Sequence, residues 1–273
     1  MSSETIGIVE EYVRRILHDR GKARPVVVGI CGAQGSGKST LVEALAQRLE
    51  AEKLKVCTLS LDDLYVSRAD RMRLASSIHP LFAVRGVPGT HDVAMGIDLL
   101  DALKRGESVL LPSFDKAVDD RAPRSSWRSV ESPVDVVFFE GWCVGAVPQD
   151  DHELAEPINA LEAERDPDRT WRRAVNEALA AGYQDLFARI DSLIFLKAMD
   201  FEIVASWRLQ QEETLRARLE QEGRSAAHLM DERAIHEFIS HYERLTRHIL
   251  SEMADRANLV IPLDTHRRPL GPP

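Results

Sequence analysis

The stretch VVVGICGAQGSGKST, residues 26–40, decides how the rest of the chain is read. Residues 26–31 form a continuous apolar run of strand length, opened by Pro25. Runs of this kind suit a strand buried on both faces of a parallel sheet. Gly32, Gly37, Lys38 and Ser39 then fill the pattern G-x-x-x-x-G-K-[ST], and STLVEALAQRLEAE (39–52) continues with helical spacing. Strand, glycine-rich turn and helix are together the context that this motif requires. The glycines let successive backbone N–H groups point inward at phosphate oxygens, and the helix N-terminus adds its partial positive charge. Gly32, Ala33, Gln34, Gly35, Ser36, Gly37, Lys38, Ser39 and Thr40 are therefore candidate contacts to a nucleoside triphosphate. Lys38 reaches the outer phosphates, and the Ser39 hydroxyl can ligate Mg²⁺. Motors, switches, transport ATPases and kinases all share this loop, so function must come from other residues.

Outward from the loop, short apolar runs recur at 56–61, 108–112, 134–139, 192–196 and 258–263. Helical patterns occupy 4–20, 39–53, 93–105, 168–189, 201–221 and 231–254. Strands alternating with helices predict βαβ units and an α/β fold. Residues 112–133, rich in Pro, Ser, Asp and Arg, read as a long loop, and loops of that length are usually functional. Residues 147–190 read as an insertion with helical content, including a short helix around 156–164. No repeat or linker divides the chain, so 1–273 is read as one domain, with 1–24 as an N-terminal helix.

Composition narrows the class of function. With 44% hydrophobic residues the chain has mass enough for a sizeable core, which excludes general disorder. A net charge of −9 argues against a nucleic-acid partner but leaves room for a local basic pocket. No apolar run approaches a membrane span, and Glu140 interrupts the best one, VVFFEGWCVGAV. The amino terminus carries early acids and no signal pattern, and Cys31, Cys57 and Cys143 are widely spaced without metal-ligand pattern. A cytoplasmic protein with buried free thiols is the expectation; oligomeric state is left open.

Ligands of open α/β sheets sit at the carboxyl ends of the strands, and two strands here end in acids. VVFF runs into Glu140, in position to hold the Mg²⁺ shell together with Ser39; the strand 56–61 runs into Asp62, Asp63 and Tyr65. A carboxylate beside a γ-phosphate can accept an alcohol proton, as phosphoryl transfer to a hydroxyl requires. Each acid can equally cap a turn or helix. Neither the NKxD run of GTPase switches nor the LSGGQ run of transport ATPases is present.

These segments carry a family likeness. GxxGSGKS, SLDDLY (60–65) and FEGW resemble the P-loop small-molecule kinases that include uridine kinase, phosphoribulokinase and pantothenate kinase. RGVPGTHD (85–92), PSFDKAVDDRAPRSSW (112–127), FFEGWCVG (138–145) and the stretch 159–211 are similar to the D-glycerate 3-kinase group. The resemblance spans roughly 26–265. It implies a three-layer P-loop NTPase fold, with a mainly parallel sheet, helices on both faces, the loop strand near the centre and a helical lid at 198–226. It also implies ATP and Mg²⁺ as cofactors and phosphotransfer to a small-molecule alcohol. By the same resemblance Asp62 is the catalytic acid, ahead of Asp63, and Glu140 is the Walker B acid. A uridine-kinase-like nucleoside kinase is the alternative enzyme, and an ATP-dependent switch or chaperone the alternative of another class.

The loops between strands suggest the acceptor. Arg85, His91, Lys116, Arg121 and Arg124 concentrate positive charge in an acidic chain, which suits an anionic hydroxy acid. Asp92 and Asp115 can accept hydrogen bonds from substrate hydroxyls, and Asp63 and Tyr65 complete the candidate substrate set. Solvated or internally paired loop charges give the same pattern. For a nucleobase the stacking candidates are Tyr65, Phe82 and Trp127, and LDTHRRPL (263–270) is a candidate adenine contact. In the helix 201–221, Arg208 and then Arg216 are the lid candidates, although Glu212–Arg216 and Glu220–Arg224 also have the spacing of a plain solvated helix. The helices 168–189 and 231–254 read as structural.

Overall fold

The structure, a computed structural model, describes residues 1–21, 25–221 and 232–271; at 211, 212, 214–221, 232 and 233 it describes the backbone alone. In chain order the elements are α1 Ser3–Arg20, β1 Val26–Gly32, α2 Lys38–Ala51, β2 Val56–Ser60, α3 Arg68–Ser77 and α4 Val93–Lys104. There follow β3 Val109–Leu111, β4 Phe114–Asp115, β5 Asp120–Arg121, β6 Arg128–Val130 and β7 Val136–Gly141. The chain continues with α5 Ala160–Arg165, α6 Thr170–Ala180, α7 Gly182–Phe187, β8 Ser192–Lys197, α8 Phe201–Gln221, α9 Glu232–Glu252 and β9 Leu259–Pro262.

Five strands form a parallel sheet in the order β2-β7-β1-β8-β9, which puts the loop strand at its centre. Burial tracks position in the sheet. β1, β7 and most of β8 are buried at successive positions because helices cover both faces. The edge strand β2 alternates instead, burying Cys57 and Leu59 between partly exposed neighbours. Side chains of one parity, among them Val28, Ile30, Phe138 and Ile194, pack with Leu41, Leu45 and Leu49 of α2 and with Val9 and Val13 of α1. The other parity, including Val27, Val137, Phe139 and Phe195, packs with Leu99 and Leu103 of α4, Tyr183 and Leu186 of α7, and Leu245 and Ile249 of α9. Each fully buried aliphatic side chain of this kind contributes about 1.5–3 kcal/mol. The result is the expected three-layer α/β fold.

Three local expectations change. The run 108–112 does not join the main sheet: β3 pairs antiparallel with β6 in a separate ribbon. The helical pattern 168–189 breaks at Ala181 (φ −91°, ψ −122°) into α6 and α7. Helix α3, RADRMRLASS, lacks an apolar stripe and buries Arg71 instead, so periodicity does not reveal it. Residues 22–24 of the expected N-terminal segment and 222–226 of the expected lid lie outside the described residues, as do the Arg216 and Arg224 side chains.

Candidate active site

The loop after β1 turns into α2 through Gly35 (φ 77°) and Gly37 (φ 90°), left-handed conformations that glycine adopts without strain. A side chain at Gly35 would also meet Trp207 of α8, whose Cβ lies 2.7 Å from the position a Cβ would take. Gln34, Gly35, Lys38 and Ser39 line a cleft, and consecutive backbone N–H groups in such a turn make a cradle for phosphate oxygens. Lys38 opens α2 and donates to the Ala33 carbonyl at 3.3 Å, so its ammonium stays at the loop's mouth. Ser39 Oγ donates to Glu140 Oε1 at 3.0 Å, joining the start of α2 to the end of β7.

A cleft of about 280 Å³ lies over this junction. It is lined by Gln34, Gly35, Lys38, Ser39 and Glu140 around the phosphate loop, by Asp62, Tyr65, Arg85 and Lys116 from the segments after β2 and before β7, and by Arg208 of α8 and Phe238 and Tyr242 of α9. Lys38, Arg85, Lys116 and Arg208 face two carboxylates, Asp62 and Glu140. The cleft is therefore locally cationic in a chain of net charge −9.

Asp62 and Asp63 follow β2 in a short 3-10 turn that the Ser60 hydroxyl caps by accepting from the Asp62 N–H at 3.3 Å. The turn sends the two carboxylates in different directions. Asp62 faces the cleft, where Tyr65 OH donates to Oδ1 at 2.9 Å and Lys116 Nζ to Oδ2 at 2.6 Å. Burial pushes the Asp62 carboxyl up, but Lys116 and Tyr65 outweigh it and hold the group below its ordinary value. Asp63 lines an adjoining hollow, which shares Ser39, Ser60 and Glu140 with the cleft, and accepts the Phe114 N–H at 3.2 Å. Burial raises its pKa, and the neighbouring Asp62 and Glu140 charges add to that.

Not every candidate acceptor residue reaches the cleft. His91 is 5% exposed and lies behind Tyr65, stacked on it with ring centroids 4.6 Å apart, while Nδ1 meets Tyr183 OH at 2.6 Å. Burial lowers its pKa to about 3, so the ring is neutral. Asp92 caps α4 through the Met95 N–H and pairs with Arg121 at 3.2 Å. Arg121 also donates twice to the Tyr65 carbonyl, at 3.2 and 3.0 Å. These three residues support Tyr65 from outside the cleft. Asp115 caps the β4–β5 turn at Ala117, and Arg124 stacks on Trp127, 5.7 Å from its ring.

Sequence reading missed Phe238, Tyr242 and Trp142 as cleft residues. Phe238 and Tyr242 are an i,i+4 pair on a helix read as structural, and Trp142 lies within the quoted FEGW segment. Tyr242 OH donates to the Arg85 carbonyl at 2.9 Å, and Trp142 Nε1 to the Gly86 carbonyl at 2.9 Å. A Cβ at Gly86 would fall 1.9 Å from Tyr242 OH, so only glycine fits there. Both aromatic residues are nearly buried and fix the segment that carries Arg85. Of the three stacking candidates, Phe82 and Trp127 lie outside the cleft, and Tyr65, 3% exposed, stacks on His91 and meets Phe114 edge-on. The 263–270 loop reaches the phosphate loop: Arg267 Nε donates to the Gly35 carbonyl at 2.5 Å and stacks over Trp207.

The donor set fits a triphosphate and a magnesium ion. The cradle and Lys38 suit phosphate oxygens, and Ser39 with Glu140 offers the one or two protein oxygens that Mg²⁺ takes beside phosphate and water. Among the described residues no cluster of three or more His, Cys, Asp or Glu residues forms a dedicated cation cage.

A parallel sheet with the phosphate loop on its central strand and an acid at the end of a neighbouring strand define a P-loop nucleotide-binding protein, and the Asp62 carboxylate in the cleft is the group that a kinase of this class adds. The profile of the family "Methylmalonyl Co-A mutase-associated GTPase MeaB" matches residues 6–70, the segment around the phosphate loop that GTPases and kinases share. Over its whole length the chain is 34% identical to the uncharacterized kinase mug58 of Schizosaccharomyces pombe, covering 97% of this chain and 98% of that one. It is 32% identical to the chloroplastic D-glycerate 3-kinase of Arabidopsis thaliana across 80% of this chain and 46% of that longer protein. The D-glycerate 3-kinase structure from Cryptococcus neoformans superposes with a TM-score of 0.80 over 99% of both chains, at 26% identity. The chain belongs to the D-glycerate 3-kinase-like P-loop kinases. It is a kinase with a small-molecule substrate, and none of its described helices is long and apolar enough to cross a membrane.

Proposed function

We propose that the protein transfers the γ-phosphoryl group of ATP to D-glycerate. The observation that carries this reading is the cationic ring around Asp62: a carboxylate able to take an alcohol proton, faced by Arg85 and Lys116, which suit an acceptor bearing a carboxylate. In the proposed step Asp62 accepts the acceptor's hydroxyl proton as that oxygen bonds to the γ-phosphorus. The bond from γ-phosphorus to the β–γ bridging oxygen breaks, and its electron pair leaves with ADP. Lys38 faces the charge that develops on the phosphate oxygens. Ser39 and Glu140 would hold Mg²⁺, which when bound neutralises phosphate charge. Asp63 acts from outside the cleft by holding the Phe114 N–H, and His91, Asp92 and Arg121 act through Tyr65. We assign the whole chain to one domain in a reducing, cytoplasmic compartment, in keeping with three buried free cysteines.

In this reading the described part of the expected lid, residues 198–221, closes over the phosphates, and Arg208 is its phosphate-facing group. Its guanidinium lies 5.8 Å from the Phe238 ring centroid, at the cleft's edge. Arg208→Ala should lower kcat and raise the share of ATP lost to water, because closure that excludes water would be incomplete. Comparing ATP consumed with acceptor phosphorylated checks this; a variant with wild-type rate and coupling returns Arg208 to a surface role.

The acceptor itself is tested by ATP consumption and product analysis over a panel of hydroxy acids, sugars and nucleosides. D-glycerate is the expected substrate. Phosphorylation of uridine or cytidine with glycerate untouched would install the nucleoside-kinase reading. Slow hydrolysis alone would favour a switch.

A further inference from the structure

Both oxygens of the Asp62 carboxylate are engaged, but by partners of opposite character. Tyr65, on Oδ1, is 3% exposed, stacked on His91, edge-on to Phe114 at 5.1 Å and held at its carbonyl by Arg121. That bond belongs to the framework. Lys116, on Oδ2, has a side chain 59% exposed on the turn between β4 and β5. The turn's backbone is anchored independently of Lys116. Asp119 receives Arg71 at 2.6 Å and also pairs with Arg85, Asp120 accepts the Arg68 N–H at 2.9 Å, and the Ala122 N–H donates to Ser113 at 2.9 Å. The lysine can therefore leave Asp62 by rotating its own four-carbon stem, without unfolding the hairpin.

This geometry makes Oδ2 the oxygen that can be freed for an acceptor hydroxyl, and Lys116 holds it. We propose that Lys116 is a positioning residue that exchanges partners during binding: it holds Asp62 Oδ2 until the acceptor's own carboxylate takes the ammonium, and only then does Oδ2 open to the acceptor hydroxyl. The inference rests on the reading of the acceptor as an anionic hydroxy acid. Arg85, fixed by Asp119 on the same side of the cleft, gives the incoming carboxylate a second cation. A solvent-exposed ion pair exchanges readily for another of similar strength. Water and neutral alcohols carry no charge with which to draw the ammonium away, so against them the base stays covered. The device selects for an anionic acceptor and suppresses transfer of the phosphoryl group to water in its absence.

The test is Lys116→Met, which keeps most of the stem and removes the charge, with Lys116→Arg as the charge-conserving control. Two quantities are measured: ATP hydrolysis without acceptor, and the ratio of kcat/KM for D-glycerate to that for glycerol, its neutral counterpart. In Lys116→Met hydrolysis should rise by up to about fivefold, the upper end of what an exposed ion pair contributes. The glycerate-to-glycerol ratio should narrow by a similar factor, through a higher KM for glycerate. Lys116→Arg should restore both toward wild type, and adding Asp62→Asn should abolish the rise in hydrolysis. Equal losses on both acceptors with unchanged or slower hydrolysis would overturn the proposal, placing Lys116 on the transferring phosphoryl instead. If the wild type phosphorylates neither acceptor, the glycerate reading fails by itself. The hydrolysis measurement then still decides whether Lys116 covers the base, a rise supporting it and no rise overturning it.

Discussion

Asp62→Asn is expected to lower kcat by about 10²–10⁴-fold, the usual cost of losing a general base. The substitution keeps the size of the side chain and can still receive the Tyr65 hydroxyl, but it cannot take a proton as a carboxylate does. ATP affinity should change little, because Lys38, Ser39 and the loop amides are untouched. A loose transition state, in which the base acts late, would put the loss at the low end. Asp63→Asn is the internal control. Its carboxylate lines the adjoining hollow and accepts the Phe114 N–H, which an asparagine oxygen can also accept, so its loss should be milder. The pH dependence carries a sign as well. The carboxylate is active only when ionised, and Lys116 and Tyr65 hold its pKa below the ordinary value against the upward push of burial. The acid limb of kcat/KM due to Asp62 should therefore lie below the usual carboxylate range. Measuring kcat, KM for ATP and the pH profile for both variants checks the assignment. A large loss at Asp63 with near-normal activity at Asp62 would reverse it, and a large loss of ATP affinity in both would make the pair magnesium ligands.

Lys38→Ala should reduce kcat by about 10²–10³-fold, in line with removal of one preorganised contact to developing charge. The side chain leaves the first turn of α2 beside the glycine cradle, and its contact with the Ala33 carbonyl is long enough to be given up to a phosphate. The substitution falls at the cleft mouth and leaves the buried stripe Leu41, Leu45 and Leu49 intact, so the variant should fold. Steady-state turnover of the folded variant is the check. Unchanged turnover would remove the loop from the chemistry.

How far the sequence led differs between the two halves of the site. The phosphate half was legible because its constraints are local: a buried strand, glycines where the backbone turns left-handed, and a helix start lie within fifteen consecutive residues, 26–40. The central place of the loop strand was implied by the family resemblance, whereas the order of the other strands, and the departure of 109–111 into a separate ribbon, depend on pairings between distant segments that apolar runs do not specify. The acceptor half is assembled from distant segments. Arg85 could be named as a loop cation, but its carbonyl is held by Tyr242, 157 residues along the chain. On a helix, an aromatic pair at i and i+4 reads identically whether it faces a core or a cleft, so Phe238 and Tyr242 were indistinguishable from packing residues. Arg71 was hidden for the opposite reason. Its helix lacks an apolar stripe, and it is buried by hydrogen bonds to Val66, Ala83 and Asp119 that no periodicity encodes. Loop charge was likewise ambiguous: Arg121 and Asp92 neutralise each other behind Tyr65, while Arg85 and Lys116 reach the cleft.

The most direct test of the account is a head-to-head measurement of kcat/KM for D-glycerate and for uridine with ATP and Mg²⁺, with the phosphorylated product identified in each case. The cationic wall that Arg85 and Lys116 form around Asp62 predicts efficient phosphorylation of glycerate and little or none of uridine. Phosphorylation of uridine with glycerate left unchanged would contradict it.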